Sequence, residues 1–244
     1  WGTALAISLA ANHRVTLWSR DHAQIESMRA TRGNQRYLPD IPLPAGIELS
    51  ADLPSALAGA GLVIIAVPTA ALRSILQQVA SRFPLSNSGE RTNEKGIVKF
   101  PGVIWVCKGF EAGTSLLPHQ VVAEVLPDRF QRGVLSGPSF AQEVARGLPT
   151  ALTLASGDEE FARSTALALH HARLRIYASN DVAGVEVGGA VKNVMAIASG
   201  ICDGMGLGHN ARAALLTRGM AEITRLGLKL GGRIETLGGL SGVG

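Results

Sequence analysis

Short apolar runs recur along this chain, each closed by a residue with a special backbone or a polar head. Arg14 to Trp18 (RVTLW) ends at Ser19-Arg20-Asp21, and Gly61 to Val67 (GLVIIAV) ends at Pro68. Gly102 to Cys107 (GVIWVC), Gly133 to Leu135 (GVL) and Thr150 to Ala155 (TALTLA) run into Lys108, Ser136 and Ser156. A continuous apolar run such as GLVIIAV buries both faces of its strand, the condition of a parallel sheet covered by helices. Gly2 to Asn12 (GTALAISLAAN) precedes the first run and Ala70 to Ser81 follows the second, and both are helix-compatible. The alternation predicts an α/β fold built on a doubly wound parallel sheet. Ligands of such sheets sit beyond the carboxyl ends of the strands, so the residues that follow each run are the candidates for function.

After Asp181 the pattern changes. Val182 to Gly231 reads as two long helical stretches separated by the turn Gly204 to Gly208 (GMGLG), which predicts a strand-and-helix domain over 1–180 and a helical domain over 181–244. The polar stretch Leu85 to Pro101 (LSNSGERTNEKGIVKFP) reads as a surface loop. The chain opens at Trp1, already inside a helical pattern, and stops in the glycine-rich LGGLSGVG. The expectation is that natural segments are missing at both ends, leaving the chain as given with weak cofactor binding and little activity.

Composition excludes several classes. With 46% apolar residues the chain can bury a core. Lys and Arg outnumber Asp and Glu by 23 to 19, but they are scattered, without the clustered cations and interleaved aromatics of a nucleic-acid surface. No apolar run approaches the roughly 18 residues of a membrane span and no secretory leader opens the chain, so the expected location is the cytoplasm. Cys107 and Cys202 lack metal or disulfide spacing and read as small interior residues. The six histidines lack ligand spacing too, so no metal is expected.

The candidates follow from position. Gly2, in Trp1-Gly2-Thr3-Ala4, resembles the third glycine of a Rossmann fingerprint, where a helix packs closely on a strand and offers its N-terminal N–H groups to a pyrophosphate. Arg20 follows the run ending at Trp18; it can pair with the 2′-phosphate of NADP, while Asp21 beside it keeps NAD admissible, and a solvated surface arginine is the alternative. Lys108 can hold a phosphate or carboxylate as a point charge. Gly137-Pro138-Ser139-Phe140-Ala141 can present backbone N–H groups and a hydroxyl to an anion. Lys192 stands in a small, apolar helical stretch (EVGGAVKNV), where burial and a neighbouring cation such as Lys108 would lower its pKa and let it take and return a hydroxyl proton. The alternative is a lysine that snorkels to water.

Together, GTALA, CKGFE (107–111), LSGPSFAQEVARGLPTALTLAS (135–156) and GVEVGGAVKNVMAIASGICDGMGLGHNARAALLTRGMAEITRLG (184–227) closely resemble the bacterial NAD(P)-dependent glycerol-3-phosphate dehydrogenases over nearly the whole chain. The resemblance implies an oxidoreductase with a Rossmann-like domain, interconverting sn-glycerol 3-phosphate and dihydroxyacetone phosphate with NAD or NADP and supplying phospholipid synthesis. It implies Lys192 as proton acceptor and substrate ligand, and Lys108 shared by substrate and cofactor. Gly137 and Ser139 become substrate contacts, and Trp1, Gly2, Arg20 and Ala141 cofactor contacts. The implied partners are these small molecules, with a homodimer admissible. Two other readings are another dehydrogenase of the same fold, acting on a small hydroxy acid or phosphorylated polyol, and a non-catalytic nucleotide-binding module.

Overall fold

A computed structural model of the chain describes residues 1–83 and 101–242. In chain order these residues form α1 (Gly2–Leu9), β1 (Val15–Trp18), α2 (His22–Thr31), β2 (Gly33–Asn34), β3 (Leu38–Pro42), β4 (Ile47–Ser50), α3 (Leu53–Leu57), β5 (Leu62–Ile65) and α4 (Thr69–Ser81). There follow β6 (Gly102–Trp105), α5 (Pro118–Val125), β7 (Arg132–Ser136), α6 (Ala141–Ala145), β8 (Thr150–Ala155), α7 (Glu159–Leu169) and β9 (Leu174–Ser179). The helices α8 (Val182–Gly204), α9 (Gly208–Lys229) and α10 (Ile234–Leu237) close the chain. The loop expected over 85–101 falls, except for Pro101, outside the described residues.

The fold is α/β, as the alternating runs predict. One sheet runs β5-β6-β7-β8-β9, and β1 pairs with β4 in parallel beside it. β5, β6 and β7 are parallel, with Leu62 opposite Gly102 and Trp105 opposite Val134. β8 departs from the parallel sense of its neighbours, running antiparallel to β7 with Leu135 opposite Leu154. A parallel return would need a crossover spanning the height of the sheet, which is roughly 16 Å for a five-residue strand. The connection folds instead into a turn and α6, whose five residues extend only about 7.5 Å. β8 therefore re-enters from the edge at which β7 left, and α6 stays at that edge against α1.

The core fills both faces of the sheet. Trp105, Leu72, Leu76, Val121 and Phe130 pack on one side, and Ile104, Leu135, Leu152, Leu154 and Phe161 on the other. Cys107 and Cys202 are buried free thiols. Helix starts are fixed by aspartates: Asp21, Asp52, Asp158 and Asp181 each accept a backbone N–H from the first turn of the helix that follows. Asp181 does more than cap α8. Its Oδ1 accepts from Gly184 N at 2.9 Å and its Oδ2 from Arg233 N at 2.8 Å, tying α8 to the turn before α10. Replacing Asp181 by Ala should lower stability by about 1–3 kcal/mol, read as a lower urea midpoint with an unchanged m-value.

By length and composition the 23 residues of α8 are also long and apolar enough to cross a membrane, a test that a buried core helix passes equally. No unbroken apolar run marks it, because Glu186, Lys192 and Asp203 are dispersed among Gly, Ala and Val. Its N-terminal third, Gly184 to Gly189, is buried inside the protein, and Glu186 there is fully hydrogen-bonded to other elements.

Candidate active site

The carboxyl ends of β5 and β6 and Trp1, the residue before α1, border a cleft of ≈ 370 Å³, lined by Trp1, Ala66, Val67, Pro68, Thr69, Val106, Cys107 and Lys108. α1 lies close here because Gly2 lacks a side chain: a Cβ would stand 3.0 Å from that of Ala66. The N-terminal turn of α1, with its free N–H groups and positive dipole end, thus borders the cleft. A glycine-started helix abutting the strand ends beside a lysine is a fitting seat for a dinucleotide pyrophosphate. Arg20 is exposed just past β1, and Asp21 is engaged as the cap of α2 and as the ion-pair partner of Arg36 at 3.4 Å.

Lys108 follows β6 directly, and its backbone is anchored before its side chain is used. Thr69 Oγ1 donates to Lys108 O at 2.8 Å, and Arg73 on α4 grips Glu111 with two hydrogen bonds of 2.8 Å. The Arg73 guanidinium and the Thr114 hydroxyl hold the Glu111 carboxyl down to about 2. The ammonium donates to Gly137 O at 3.1 Å and to Ser139 Oγ at 3.3 Å. Gly137 sits at φ 143°, where a side chain is disfavoured, and a Cβ there would lie 3.1 Å from Ala151 O. The turn after β7 therefore brings Gly137 and Ser139 to Lys108. Ala141, the first residue of α6, follows in the same turn, and Phe140 between them is 72% exposed.

Lys192 approaches from α8. Its Nζ donates to Leu240 O at 3.3 Å, and the side chain is half-buried. Burial first, and the charge of Lys108 second, lower its pKa to about 8. Burial also lowers that of Lys108. The lysines can come this close because Gly189, one turn before Lys192, faces the sheet without a side chain: a Cβ would stand 2.7 Å from Ser136 Oγ and 3.6 Å from the Lys108 stem. Gly189→Ala should push α8 off the strand ends and cost about 1–3 kcal/mol in thermal or urea unfolding.

The structure thus brings Lys108, Gly137, Ser139 and Lys192 together, with Trp1 and Gly2 across the cleft, while Arg20 lies apart at the end of β1. Cys107 lines the cleft, but burial pushes its thiol up to about 11, so it is not a nucleophile. Among the described residues no three His, Cys, Asp or Glu side chains converge as metal ligands. Sequence reasoning passed over Thr69, Arg73 and Glu111, which brace Lys108, and the buried Glu186. A carboxylate alone in the apolar run VAGVEVGGAV was the available signal for the last, since a buried charge demands partners.

The model of the NAD-dependent glycerol-3-phosphate dehydrogenase N-terminus matches residues 1–162, and that of the C-terminus matches 181–244. The chain is 58% identical over 244 residues to glycerol-3-phosphate dehydrogenase (NAD(P)+) of Thiobacillus denitrificans, covering 100% of the chain and 70% of the relative. A crystal structure of glycerol-3-phosphate dehydrogenase from Coxiella burnetii matches with a TM-score of 0.88 at 41% identity, covering 100% of this chain and 70% of that one. The yeast enzyme structure GPD1 from Saccharomyces cerevisiae matches with a TM-score of 0.80 at 26% identity over 99% of this chain and 72% of that one.

Proposed function

The chain belongs to the NAD-dependent glycerol-3-phosphate dehydrogenase family, and on that premise we propose that it interconverts sn-glycerol 3-phosphate and dihydroxyacetone phosphate with Lys192 as proton acceptor. The observation that carries the assignment is a half-buried lysine, lowered to about 8 by burial and by a second lysine that lines the cleft.

The bound nicotinamide supplies or accepts the hydride. The chain's own residues do the rest. Lys108, Gly137, Ser139 and Lys192 hold the substrate, a phosphate dianion finding in Lys108 a desolvated cation whose backbone is fixed by Thr69 and whose loop is fixed by Arg73. Neutral Lys192 takes the C2 hydroxyl proton as the alcohol is oxidised, and its ammonium returns that proton to the oxygen in reduction. The sign of the pH dependence follows: oxidation of the alcohol rises with pH through about 8, and reduction of the ketone falls through the same range. Trp1, Gly2, Lys108 and Ala141 border the seat proposed for the cofactor, with Arg20 directed to its ribose end. Either NAD or NADP suits the family.

The wider reading is a cytoplasmic enzyme supplying glycerol phosphate to phospholipid synthesis, with a cofactor-binding domain over 1–180 and a helical substrate domain over 181–244. The test uses protein expressed from the complete reading frame and follows NADPH or NADH consumption on addition of dihydroxyacetone phosphate. Consumption that depends on the phosphorylated ketone is the expected result. No consumption with either cofactor would overturn the assignment.

A further inference from the structure

Glu186 is the one charged residue in the buried run Gly184 to Gly189 of α8, and its side chain is 1% exposed. It accepts three hydrogen bonds, all from other elements: Trp105 Nε1 at 2.7 Å and His119 N at 2.9 Å, both at Oε1, with His119 Nδ1 2.6 Å from Oε2. Trp105 ends β6 three residues before Lys108, and His119 lies in the first turn of α5. A carboxylate at that helix start also takes up one of its otherwise unpaired N–H groups. Residues 186, 189 and 192 follow at steps of three, so they share one side of α8. Glu186 meets β6 and α5, Gly189 meets Ser136 and the Lys108 stem, and Lys192 stands at the site.

We propose that Glu186 is a positioning residue that fixes the separation of the two site lysines, by tying the helix that carries Lys192 to the strand that delivers Lys108. It touches neither substrate nor cofactor. It acts through geometry and not through its charge on Lys192, which lies six residues away, about 9 Å along the helix. The charged group that acts on Lys192 is Lys108, from the loop after β6. The hydrogen bond from Trp105 is the critical strut, because Trp105 is itself 1% exposed and immovable in the core. A buried carboxylate satisfied by three donors holds one arrangement of three elements, and removing any partner leaves polar groups without a mate and lets the helix shift.

The proposal rests on reading Lys192 as the site's base, yet Lys192 can be titrated without turnover. Limiting acetic anhydride is applied to the protein across a pH series, and acetylation at Lys192 is read by mass spectrometry beside steady-state kinetics. The wild-type midpoint is expected at about 8. In Trp105→Phe and Glu186→Leu the lysines separate and the site hydrates, so the midpoint should climb by about one unit or more toward the ordinary lysine value. A misplacement of this kind should also lower kcat by up to about 10²-fold. Glu186→Gln keeps an oxygen for Trp105 and for His119 N, and it should restore both the midpoint and kcat. A role confined to stability would lower the melting temperature and leave the midpoint alone. Should Glu186→Leu fail to fold, Trp105→Phe carries the test, since it keeps an aromatic ring in the core.

Unmoved midpoints in folded Trp105→Phe would overturn the proposal, as would a Glu186→Gln midpoint displaced as far as that of Glu186→Leu. Midpoints that move as stated in a protein without turnover would sink the dehydrogenase reading and leave the positioning role standing.

Discussion

Replacing Lys192 by Met should cut kcat by roughly 10²–10⁴-fold in both directions, the range that a positioned acid or base contributes. Methionine keeps an unbranched apolar stem in the half-buried position on α8 beside Leu240, so the space is still filled while the proton carrier is lost. Stability gives an independent check on the same residue. The folded pKa of about 8 lies below the ordinary lysine value, so the unfolded chain holds the proton between them and the folded chain does not. Folding free energy therefore improves as pH rises from about 8 to about 10.5. Below that window the fold carries a penalised ammonium repelled by Lys108. Lys192→Met should consequently be at least as stable as the wild type at neutral pH, with its stability free of that slope. A variant that lost turnover because it unfolded would show the opposite.

Lys108→Met should lower kcat/KM for dihydroxyacetone phosphate by about 10²–10³-fold, as removal of one partner of a buried, hydrogen-bonded charge pair does. Most of the loss should appear in KM, because Lys108 holds charge in ground state and transition state alike. A second consequence is diagnostic. The charge of Lys108 is one of the two causes of the lowered Lys192 pKa, so its removal should raise the pH midpoint of catalysis while burial keeps it below the ordinary lysine value. Lys108→Arg should not restore activity, since the planar guanidinium cannot occupy the place of an ammonium held 3.1 Å from Gly137 O and 3.3 Å from Ser139 Oγ. A Lys108→Met protein with unchanged pH midpoint would separate the two lysines.

The apolar runs before Pro68 and Lys108 announce β5 and β6 because both faces of each strand are covered, and that burial is written in consecutive residues. The position of Lys108 follows from the same fact, since the first charged residue after a buried strand must stand at its end. Lys192 is legible for a related reason, as a lone cation among small residues of a long helix. β9 is different. Its residues alternate between buried and exposed, so Leu174–Ser179 shows no continuous run. The antiparallel sense of β8 escapes because a hydrophobic pattern reports burial and not direction. β4 is invisible until β1 pairs with it, residue for residue from Val15 with Ile47.

The bracing of the site is the least legible part. Glu186 draws its donors from 67 and 81 residues away, and Arg73 reaches Glu111 across 38. Each partner alone reads as an ordinary polar residue. Distance along the chain conceals what proximity in the fold makes costly to lose. The segments that carry chemistry, LSGPSF and GGAVKN, are instead compact in sequence, because a turn or a single helix face must present several groups at once.

On the proposed assignment Lys192 is a base brought toward neutrality by burial and by Lys108. Its most direct test is the pH dependence of kcat for glycerol 3-phosphate oxidation. The expected profile is a limb rising with pH to a plateau, with a midpoint at about 8, that disappears in Lys192→Met. A limb unchanged in Lys192→Met, or a midpoint at the ordinary lysine value, would contradict it.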